Sequence, residues 1–197
     1  MTITTVDLLR HGELLGGIGY RGTTEAELTP AGRQSMDAVW SRLADSVDVI
    51  LCSPLGRCQG PAMAWSAHSG LPCEVVDDFR EMHYGQWEGL SPAEVEQRFP
   101  GMLAQWRTDP VGVRIPGAES IECFSARVVA AWDAMLQRHA GRRLLLVGHS
   151  GTLRMILTHV LDAPLAASRR FSVPYSAWCQ VRQRECGYLL THVNYPS

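Results

Sequence analysis

The chain has 197 residues, 46% of them hydrophobic and 19% charged, with a formal net charge of −2. Length and composition are typical of a single globular domain with a sizeable core and exclude an intrinsically disordered chain. No apolar run reaches the ~18–20 residues that span a bilayer, and the N-terminus lacks the features of a secretory signal. We therefore expect a cytoplasmic protein without a membrane partner.

The eighteen basic residues are all arginine. The lack of lysine excludes a Schiff-base lysine, a pyridoxal-phosphate lysine and a Walker lysine. Arginine stays protonated and binds phosphate or carboxylate through two parallel N–H hydrogen bonds. Because the arginines are scattered and the net charge is small, nucleic acid is not an expected partner. The six cysteines fit neither a zinc module nor a disulfide framework and are expected to be reduced thiols.

Strands and helices are predicted to alternate along the chain. In chain order they are a strand over Thr4–Leu9, a helix over Pro30–Ala44, a strand over Val47–Cys52, a helix starting at Ser53-Pro54, a strand over Glu74–Val76, a helix over Glu119–His139, a strand over Arg143–Val147, a helix over Gly151–Leu161, and two β-like runs over Ala177–Arg182 and Tyr188–Val193 that pair antiparallel around Gly187. Thr29-Pro30 and Ser53-Pro54 both read as an N-cap followed by proline at the first helical position. This alternation predicts a layered α/β domain.

Two local motif matches lack the context that their chemistry requires. The segment Gly17–Gly22 fits the dinucleotide pattern G-x-G-x-x-G, but no helix is predicted directly after it, so a loop is favoured over a cofactor site. The segment Gly148–Thr152 resembles a nucleophile elbow around Ser150, with Asp162 and His192 following in hydrolase order. Threonine replaces the last glycine of that motif and few residues remain for the strands carrying the acid and base. A serine esterase stays an alternative on these residues.

Four segments bring histidine, arginine and carboxylate side chains to one edge of the predicted sheet. Arg10-His11-Gly12-Glu13, Ser53–Arg57 and Gly148–Gly151 follow strands, and Glu81–Gly85 supplies the carboxylate. Ligands of open parallel sheets bind beyond the carboxyl ends of the strands, so a shared crevice is expected. The three histidines His11, His83 and His149 do not predict a metal site, because acidic residues are sparse there and the arginines would repel a cation.

This set of segments resembles the histidine phosphatase superfamily, the phosphoglycerate-mutase-like proteins with an R-H-G motif. The resemblance runs from Leu8 to about Thr152. Within it, Phe79–Gly89 and Pro116–Ser120 look most like the α-ribazole phosphatase branch, whose members act in cobalamin synthesis. The resemblance implies a single three-layer α/β domain over residues 1–197, with a mostly parallel central sheet flanked by helices and a small helical lid at about residues 86–118.

The resemblance implies metal-independent hydrolysis of a small-molecule phosphomonoester through a phosphohistidine, with no cofactor. His11 is the implied nucleophile, a role that suits imidazole because it is neutral near pH 7 with an ordinary pKa of ~6.5. Arg10, Arg57 and His149 would surround the phosphoryl oxygens. Glu81 would protonate the leaving alkoxide and then activate water.

Further phosphate or substrate contacts are expected from Ser150, Gly151, Gly17, Gly22 and Thr23. Gly17 stands where many relatives have an asparagine, so a backbone N–H of the glycine-rich loop or a water would replace that amide. Leu14 replaces the common threonine or serine after the R-H-G motif. His83 is expected to pack rather than react.

The substrate is less closely defined than the chemistry. Mutases of this superfamily carry paired arginines in a longer insertion, whereas residues 86–119 here offer only Arg98, Arg107 and Arg114, which favours hydrolysis. Trp87 and Trp106 would suit the flat base of α-ribazole 5′-phosphate, or they would pack the lid onto the domain. A broad sugar-phosphate phosphatase, a cofactor-dependent phosphoglycerate mutase and a non-catalytic phospho-ligand binding protein remain alternatives. A homodimer is expected only because C₂ dimers are common.

Overall fold

A computed structural model describes residues 3–195 of the chain. The strands are β1 (Thr4–Arg10), β2 (Val49–Cys52), β3 (Cys73–Val75), β4 (Arg143–Gly148), β5 (Trp178–Arg184) and β6 (Gly187–Tyr195). The α-helices are α1 (Pro30–Leu43), α2 (Gly56–Ser69), α3 (Pro92–Arg98), α4 (Met102–Thr108), α5 (Ile121–Arg138) and α6 (Ser150–Val160). Most predicted bounds agree with these to within about two residues.

The six strands form one sheet in the order β3-β2-β4-β1-β5-β6. The first four are mutually parallel, whereas β5 pairs antiparallel with β1 and β6 antiparallel with β5. The predicted α/β class with a mostly parallel sheet is therefore confirmed, as is the antiparallel final pair. In the β1–β4 register Arg10 lies opposite Gly148, so the segments that follow these two strands begin side by side.

Strand β4 shows why the domain has three layers. Leu144 and Leu146 pack into a core with α5 and α6, whereas Leu145 and Val147 pack into a second core with α1 and α2. Successive side chains of a strand point to opposite faces, so an unbroken apolar strand is covered by helices on both sides. The burial of β4 on both faces accounts for its continuous apolar sequence.

The two Ser/Thr-Pro signals have different outcomes. Thr29 caps α1 as predicted, since its hydroxyl accepts a hydrogen bond from the Gly32 N–H at 2.8 Å. The prediction that a helix starts at Ser53-Pro54 is wrong, because α2 begins at Gly56. The Ser53 hydroxyl is instead 2.7 Å from Nε2 of His149. The same hydroxyl also accepts from the Leu55 N–H at 3.3 Å, but the backbone of Leu55 is extended (φ −73°, ψ 135°), so the helix begins only after it.

Residues 86–118 form a helical segment that includes α3 and α4. Ser91 and Glu94 make a reciprocal capping box at the start of α3. Trp87 and Trp106 are almost fully buried in the same apolar core as α5. The expectation that these two rings offer a flat surface to a substrate is therefore wrong, because neither ring is exposed. Their burial instead stabilises the packing of the segment against the rest of the domain.

The remaining predictions on organisation concern the glycine-rich loop, the thiols and the membrane. Residues 17–22 lie in a loop, and the next helix begins only at Pro30, which is not the context of a dinucleotide site. All six cysteines are free thiols. Within residues 3–195, no helix combines the length and apolarity that crossing a bilayer requires.

Candidate active site

A crevice of about 280 Å³ opens at the carboxyl ends of β1 and β4. Arg10 and His11 enter it from the end of β1, and Ser150 and Gly151 enter it from the first turn of α6. Glu81 completes this group from the segment between β3 and α3. Five of the predicted site residues therefore line one cavity. Its volume lies near the lower end of the ~300–1,000 Å³ typical of ligand pockets.

The tautomer of His11 follows from a single contact. Its Nδ1 is 2.8 Å from the carbonyl oxygen of Gly12, and the side chain is 5% exposed. A carbonyl oxygen only accepts, so Nδ1 carries the proton and donates it. The lone pair of the neutral ring is then on Nε2. Gly12 has no space for a side chain, since a Cβ would lie 2.1 Å from the Gly32 carbonyl oxygen.

The surroundings of His11 keep its ring neutral. Burial lowers its pKa well below the ordinary value, and the positive charges of Arg10 and Arg57 lower it further. The hydrogen bond to Gly12 opposes these effects but does not outweigh them. Because burial and nearby like charge both disfavour the imidazolium, His11 keeps its lone pair well below neutral pH.

Arg10 is held beside His11 by the segment before β5. Its Nη1 donates to the Val173 carbonyl at 2.6 Å, and its guanidinium lies 4.0 Å from the centre of the Tyr175 ring. The same ring is 5.7 Å from the His11 ring. Burial lowers the pKa of Arg10, and its Nε has no partner among the described residues. A buried donor without a partner next to His11 suits an incoming anion.

Glu81 is held at the N-terminus of α6. The Gly151 N–H donates to its Oε2 at 2.8 Å, and the Met82 N–H donates to its Oε1 at 3.0 Å. The side chain is 6% exposed. The partial positive charge of a helix N-terminus favours a carboxylate there. A carboxyl group is thereby fixed in the crevice that contains His11.

Arg57 and His149 lie beside His11 but beneath the lining of the crevice. The rings of His11 and His149 are 5.3 Å apart. Arg57 Nε donates to His149 Nδ1 at 3.3 Å, which leaves His149 Nε2–H to donate to Ser53. Burial and then the charge of Arg57 lower the pKa of His149 well below its ordinary value. His149 is therefore neutral here, with its donor directed at Ser53.

Hydrogen bonds from Arg57 and to Glu88 hold the loop from Arg21 to Thr24 in place. The Nη atoms of Arg57 donate to the carbonyls of Arg21, Gly22 and Thr24 at 2.7–3.2 Å. The Glu88 carboxylate accepts from the N–H groups of all three residues from Gly22 to Thr24. Gly22 and Thr23, which were expected to contact phosphate or substrate, do not line the crevice here, and their N–H groups are bonded to Glu88.

Two other predicted placements also differ. Gly17 does not line the crevice, and its carbonyl accepts from Arg21 Nη1 at 2.7 Å. His83 is exposed rather than packed, and its Nδ1 accepts from the Gly85 N–H at 3.1 Å. Neither residue lines the crevice in this arrangement.

The alternative triad of Ser150, Asp162 and His192 is not assembled. Ser150 begins α6 and Asp162 lies beyond its other end, and the helix axis from Ser150 to Val160 is about 15 Å long at ~1.5 Å per residue. The His192 ring is on β6, where it stacks on Trp178 at 5.1 Å. Residues 3–195 also contain no group of three or more His, Cys, Asp or Glu side chains placed to hold a metal ion.

Several residues of the crevice lie outside the predicted set. They are three tyrosines and four arginines, namely Tyr20, Tyr84, Tyr175, Arg21, Arg107, Arg154 and Arg169. One had a signal in the sequence: Arg154 is four residues after Ser150, and residues four apart share a helix face. Arg169 ends the short 3₁₀ turn Leu165–Arg169 and Tyr175 lies in irregular chain, where no periodicity predicts a direction.

The chain belongs to the histidine phosphatase superfamily (branch 1), which it matches over residues 6–196. It is 26% identical over 177 residues to the adenosylcobalamin/α-ribazole phosphatase of Escherichia coli K12, covering 88% of this chain and 87% of that protein. It is 31% identical over 196 residues to the probable phosphoglycerate mutase GpmB of Yersinia pestis, covering 93% and 87%. It is 32% identical over 166 residues to the bifunctional protein Rv2228c of Mycobacterium tuberculosis, covering 82% of this chain but only 45% of that relative's length.

Solved structures of the same fold align along nearly the whole chain. Bacillus stearothermophilus YhfR superposes with a TM-score of 0.92 at 24% identity, covering 98% of each chain, which shows the fold alone. A putative α-ribazole-5′-phosphate phosphatase of Escherichia coli superposes at 0.86 with 26% identity, covering 98% and 96%. A mycobacterial glucosyl-3-phosphoglycerate phosphatase in complex with inorganic phosphate superposes at 0.85 with 25% identity, covering 98% and 97%.

Proposed function

We propose that this protein hydrolyses small phosphomonoesters through a phosphohistidine on His11. The observation that carries the proposal is the state of the His11 ring. Its Nδ1–H is committed to the Gly12 carbonyl, so its nucleophilic Nε2 is free at a cavity lined by arginines. A neutral imidazole beside fixed positive charge suits attack on a phosphoryl group, because the charge that attracts the substrate also keeps the nucleophile unprotonated.

The proposed reaction has two steps. His11 Nε2 attacks phosphorus, a P–N bond forms, and the P–O bond to the alcohol breaks. Glu81 acts as the general acid and transfers a proton to the departing alkoxide. Glu81 then accepts a proton from water as the water oxygen attacks the phosphohistidine, which releases inorganic phosphate and restores both residues.

Positive charge near the reacting group supports this chemistry. Arg10 lies at the crevice, and Arg57 lies behind His11. Preorganised donors directed at the phosphoryl oxygens stabilise the transition state, and one arginine supplies ~10³–10⁵ in rate in other phosphoryl-transfer enzymes. The Ser150 N–H at the start of α6 and His149 are proposed as further contacts, His149 after its donor turns from Ser53.

Two substrate classes have separate support. α-Ribazole 5′-phosphate is supported by the resemblance of residues 79–89 and by the E. coli relative at 26% identity. A phosphomonoester that also carries a carboxylate is supported by the arginine-rich lining of the crevice and by the mycobacterial glucosyl-3-phosphoglycerate phosphatase. Hydrolysis is proposed over mutase activity because residues 86–119 contain no paired arginines of the kind that mutases carry.

The test is hydrolysis by a His11→Ala variant, with His83→Ala as a matched control at an exposed histidine outside the crevice. The substrates are α-ribazole 5′-phosphate, sugar phosphates and 3-phosphoglycerate, with EDTA present. His11→Ala should lose roughly 10³-fold or more in kcat, as expected for a nucleophile, while His83→Ala stays within about threefold of the wild type. Wild-type rates in His11→Ala would overturn the proposal. Rapid conversion of 3- to 2-phosphoglycerate with added 2,3-bisphosphoglycerate would point to a mutase.

A further inference from the structure

The crevice contains more positive charge than transfer of one phosphoryl group explains. Five arginines line it and only one carboxylate, that of Glu81, does so. None of the five arginines forms an ion pair with a carboxylate within residues 3–195, whereas arginines elsewhere on the domain, such as Arg127 with Glu119, do. An excess of unpaired guanidinium groups in one cavity indicates an anionic ligand.

Two of the five arginines, Arg10 and Arg21, already have a role in the site or in the loop beside it. Arg10 lies next to His11 and serves the reacting phosphoryl group. The Nη atoms of Arg21 donate to the carbonyls of Gly16 and Gly17 at 3.0 and 2.7 Å and hold the glycine-rich loop. The other three, Arg107 of α4, Arg154 of α6 and Arg169 of the 3₁₀ turn after α6, have no such role. We call these three the second arginine cluster.

The second arginine cluster is placed by aromatic side chains. The Arg169 guanidinium lies 5.5 Å from the centre of the Trp106 ring, and Arg107 lines the crevice together with Tyr20. Arg154 and Arg169 also line a small adjoining cavity beneath Tyr84. Aromatic faces hold guanidinium groups without neutralising them, so the cluster keeps its charge available.

Arg154 is the least satisfied member of the second arginine cluster. Its Nε is buried and has no hydrogen-bond partner among the described residues. Burial lowers the pKa of Arg154, and the neighbouring charge of Arg169 lowers it further. A buried donor without a partner, close to a like charge, is unfavourable until an acceptor with negative charge arrives.

The distance between the two charged regions is short. Arg154 follows Ser150 by one helical turn on the same face of α6, about 6 Å along the axis. A ligand that reaches both regions therefore has its two anionic groups joined by a short chain of atoms. The crevice volume of about 280 Å³ also suits a compact molecule.

We propose that the second arginine cluster binds a second anionic group, a carboxylate or a phosphate, on the molecule whose phosphoryl group His11 attacks. The inference rests on the proposed phosphatase function and specifies its substrate class. Compact phosphorylated acids and bisphosphates belong to this class. α-Ribazole 5′-phosphate does not, because its base carries no second anion.

The test uses pairs of esters that differ by one anionic group. 3-Phosphoglycerate and glycerol 3-phosphate differ at a carboxylate, and fructose 1,6-bisphosphate and fructose 6-phosphate differ at a phosphate. The wild type should favour the more anionic member of at least one pair by roughly tenfold or more in kcat/KM, the effect of one charge-assisted hydrogen bond. The pair that shows the preference identifies the group as carboxylate or phosphate.

Substitutions assign that preference to the cluster. Arg154→Gln and Arg169→Gln should each reduce it to about threefold or less, mainly through KM. Arg98→Gln, at an exposed arginine of α3 outside the crevice, should leave the preference unchanged. A wild type that favours neither anionic ester, or a preference that survives in the Arg154→Gln/Arg169→Gln double variant, would overturn the inference.

A binding measurement separates this inference from the proposed function. Calorimetry on His11→Ala, which does not need turnover, should give a Kd for 3-phosphoglycerate or fructose 1,6-bisphosphate roughly tenfold below that of its less anionic partner. Should the wild type hydrolyse nothing, the proposed function fails, yet that difference in Kd would still support the second anion site. Equal Kd values within both pairs would refute the site, even in an active phosphatase.

Discussion

Replacing Gly151 by alanine tests the placement of the proposed acid, Glu81, without changing the chemical identity of its carboxyl group. A Cβ at this position would lie 2.2 Å from Oε1 of Glu81 and 2.9 Å from its Cδ. Ordinary contacts begin near 3.4 Å, so the carboxylate must retreat by about 1 Å and loses its 2.8 Å hydrogen bond from the Gly151 N–H. A misplacement of ~1 Å costs about 10²-fold in rate.

The assay compares leaving groups through kcat/KM, which reports the first irreversible step. Glycerol 3-phosphate needs a proton on its leaving alkoxide, whereas p-nitrophenyl phosphate releases a stable phenolate. Gly151→Ala should lower kcat/KM by about 10²-fold for the first ester and by less than about fivefold for the second.

Gly60→Ala is the matched control, because a Cβ at Gly60 meets nothing within 4 Å and this glycine of α2 lies outside the crevice. It should keep wild-type rates and gain up to about 1 kcal/mol in stability from the helix propensity of alanine. Equal losses for the two esters in Gly151→Ala, or no loss for either, would refute the assignment of Glu81 as acid.

Two further predictions concern the hydrogen bonds of Glu88 and the lowered pKa values of His11 and His149. Burial raises the pKa of Glu88, but the hydrogen bonds from Tyr84, Thr23 and Thr24 outweigh it and leave that pKa lowered. Glu88→Gln should therefore cost about 1–3 kcal/mol in urea unfolding and lower kcat/KM, whereas the exposed Glu185→Gln should cost little. Equal free energies of unfolding and equal kcat/KM values for Glu88→Gln and Glu185→Gln would contradict the role of Glu88 in holding the loop. Because burial and then nearby arginines lower the pKa values of His11 and His149, protonation favours the unfolded chain, whose histidines titrate near pH 6.5. The free energy of unfolding should fall as pH decreases below ~6.5, by up to about 1.4 kcal/mol per pH unit for each histidine, and a flat profile between pH 6.5 and 5.5 would contradict the shifts.

Periodicity and cap chemistry predicted the fold because they act locally. The apolar run of β4 and the Thr29-Pro30 start of α1 depend on neighbours in sequence, and both agree with the structure. The similar Ser53-Pro54 signal failed because the chain is still extended at Leu55, while the Ser53 hydroxyl contacts His149, 96 residues away in the chain. A contact of that range cannot be derived from a short sequence window.

The same distinction between local signals and long-range contacts separates the site residues that were predicted from those that were missed. Arg10, His11, Glu81 and the start of α6 were predicted because each lies at a strand end or matches a family motif, and the structure brings them together. The carboxylate of Glu88 was missed because its partners are the N–H groups of Gly22 to Thr24, more than sixty residues earlier. Arg169 and Tyr175 were missed because they approach the crevice from a short 3₁₀ turn and an irregular segment, whose directions depend on tertiary packing.

Trapping the phosphoenzyme tests the central claim most directly. Wild-type protein mixed with substrate and quenched within one turnover should carry a phosphoryl group that is labile to acid and stable to alkali, as a P–N bond is. Peptide mass spectrometry should place it on His11, and His11→Ala should carry none while His83→Ala carries as much as the wild type. A phosphoryl group on another residue, or turnover with no phosphoenzyme, would contradict the account.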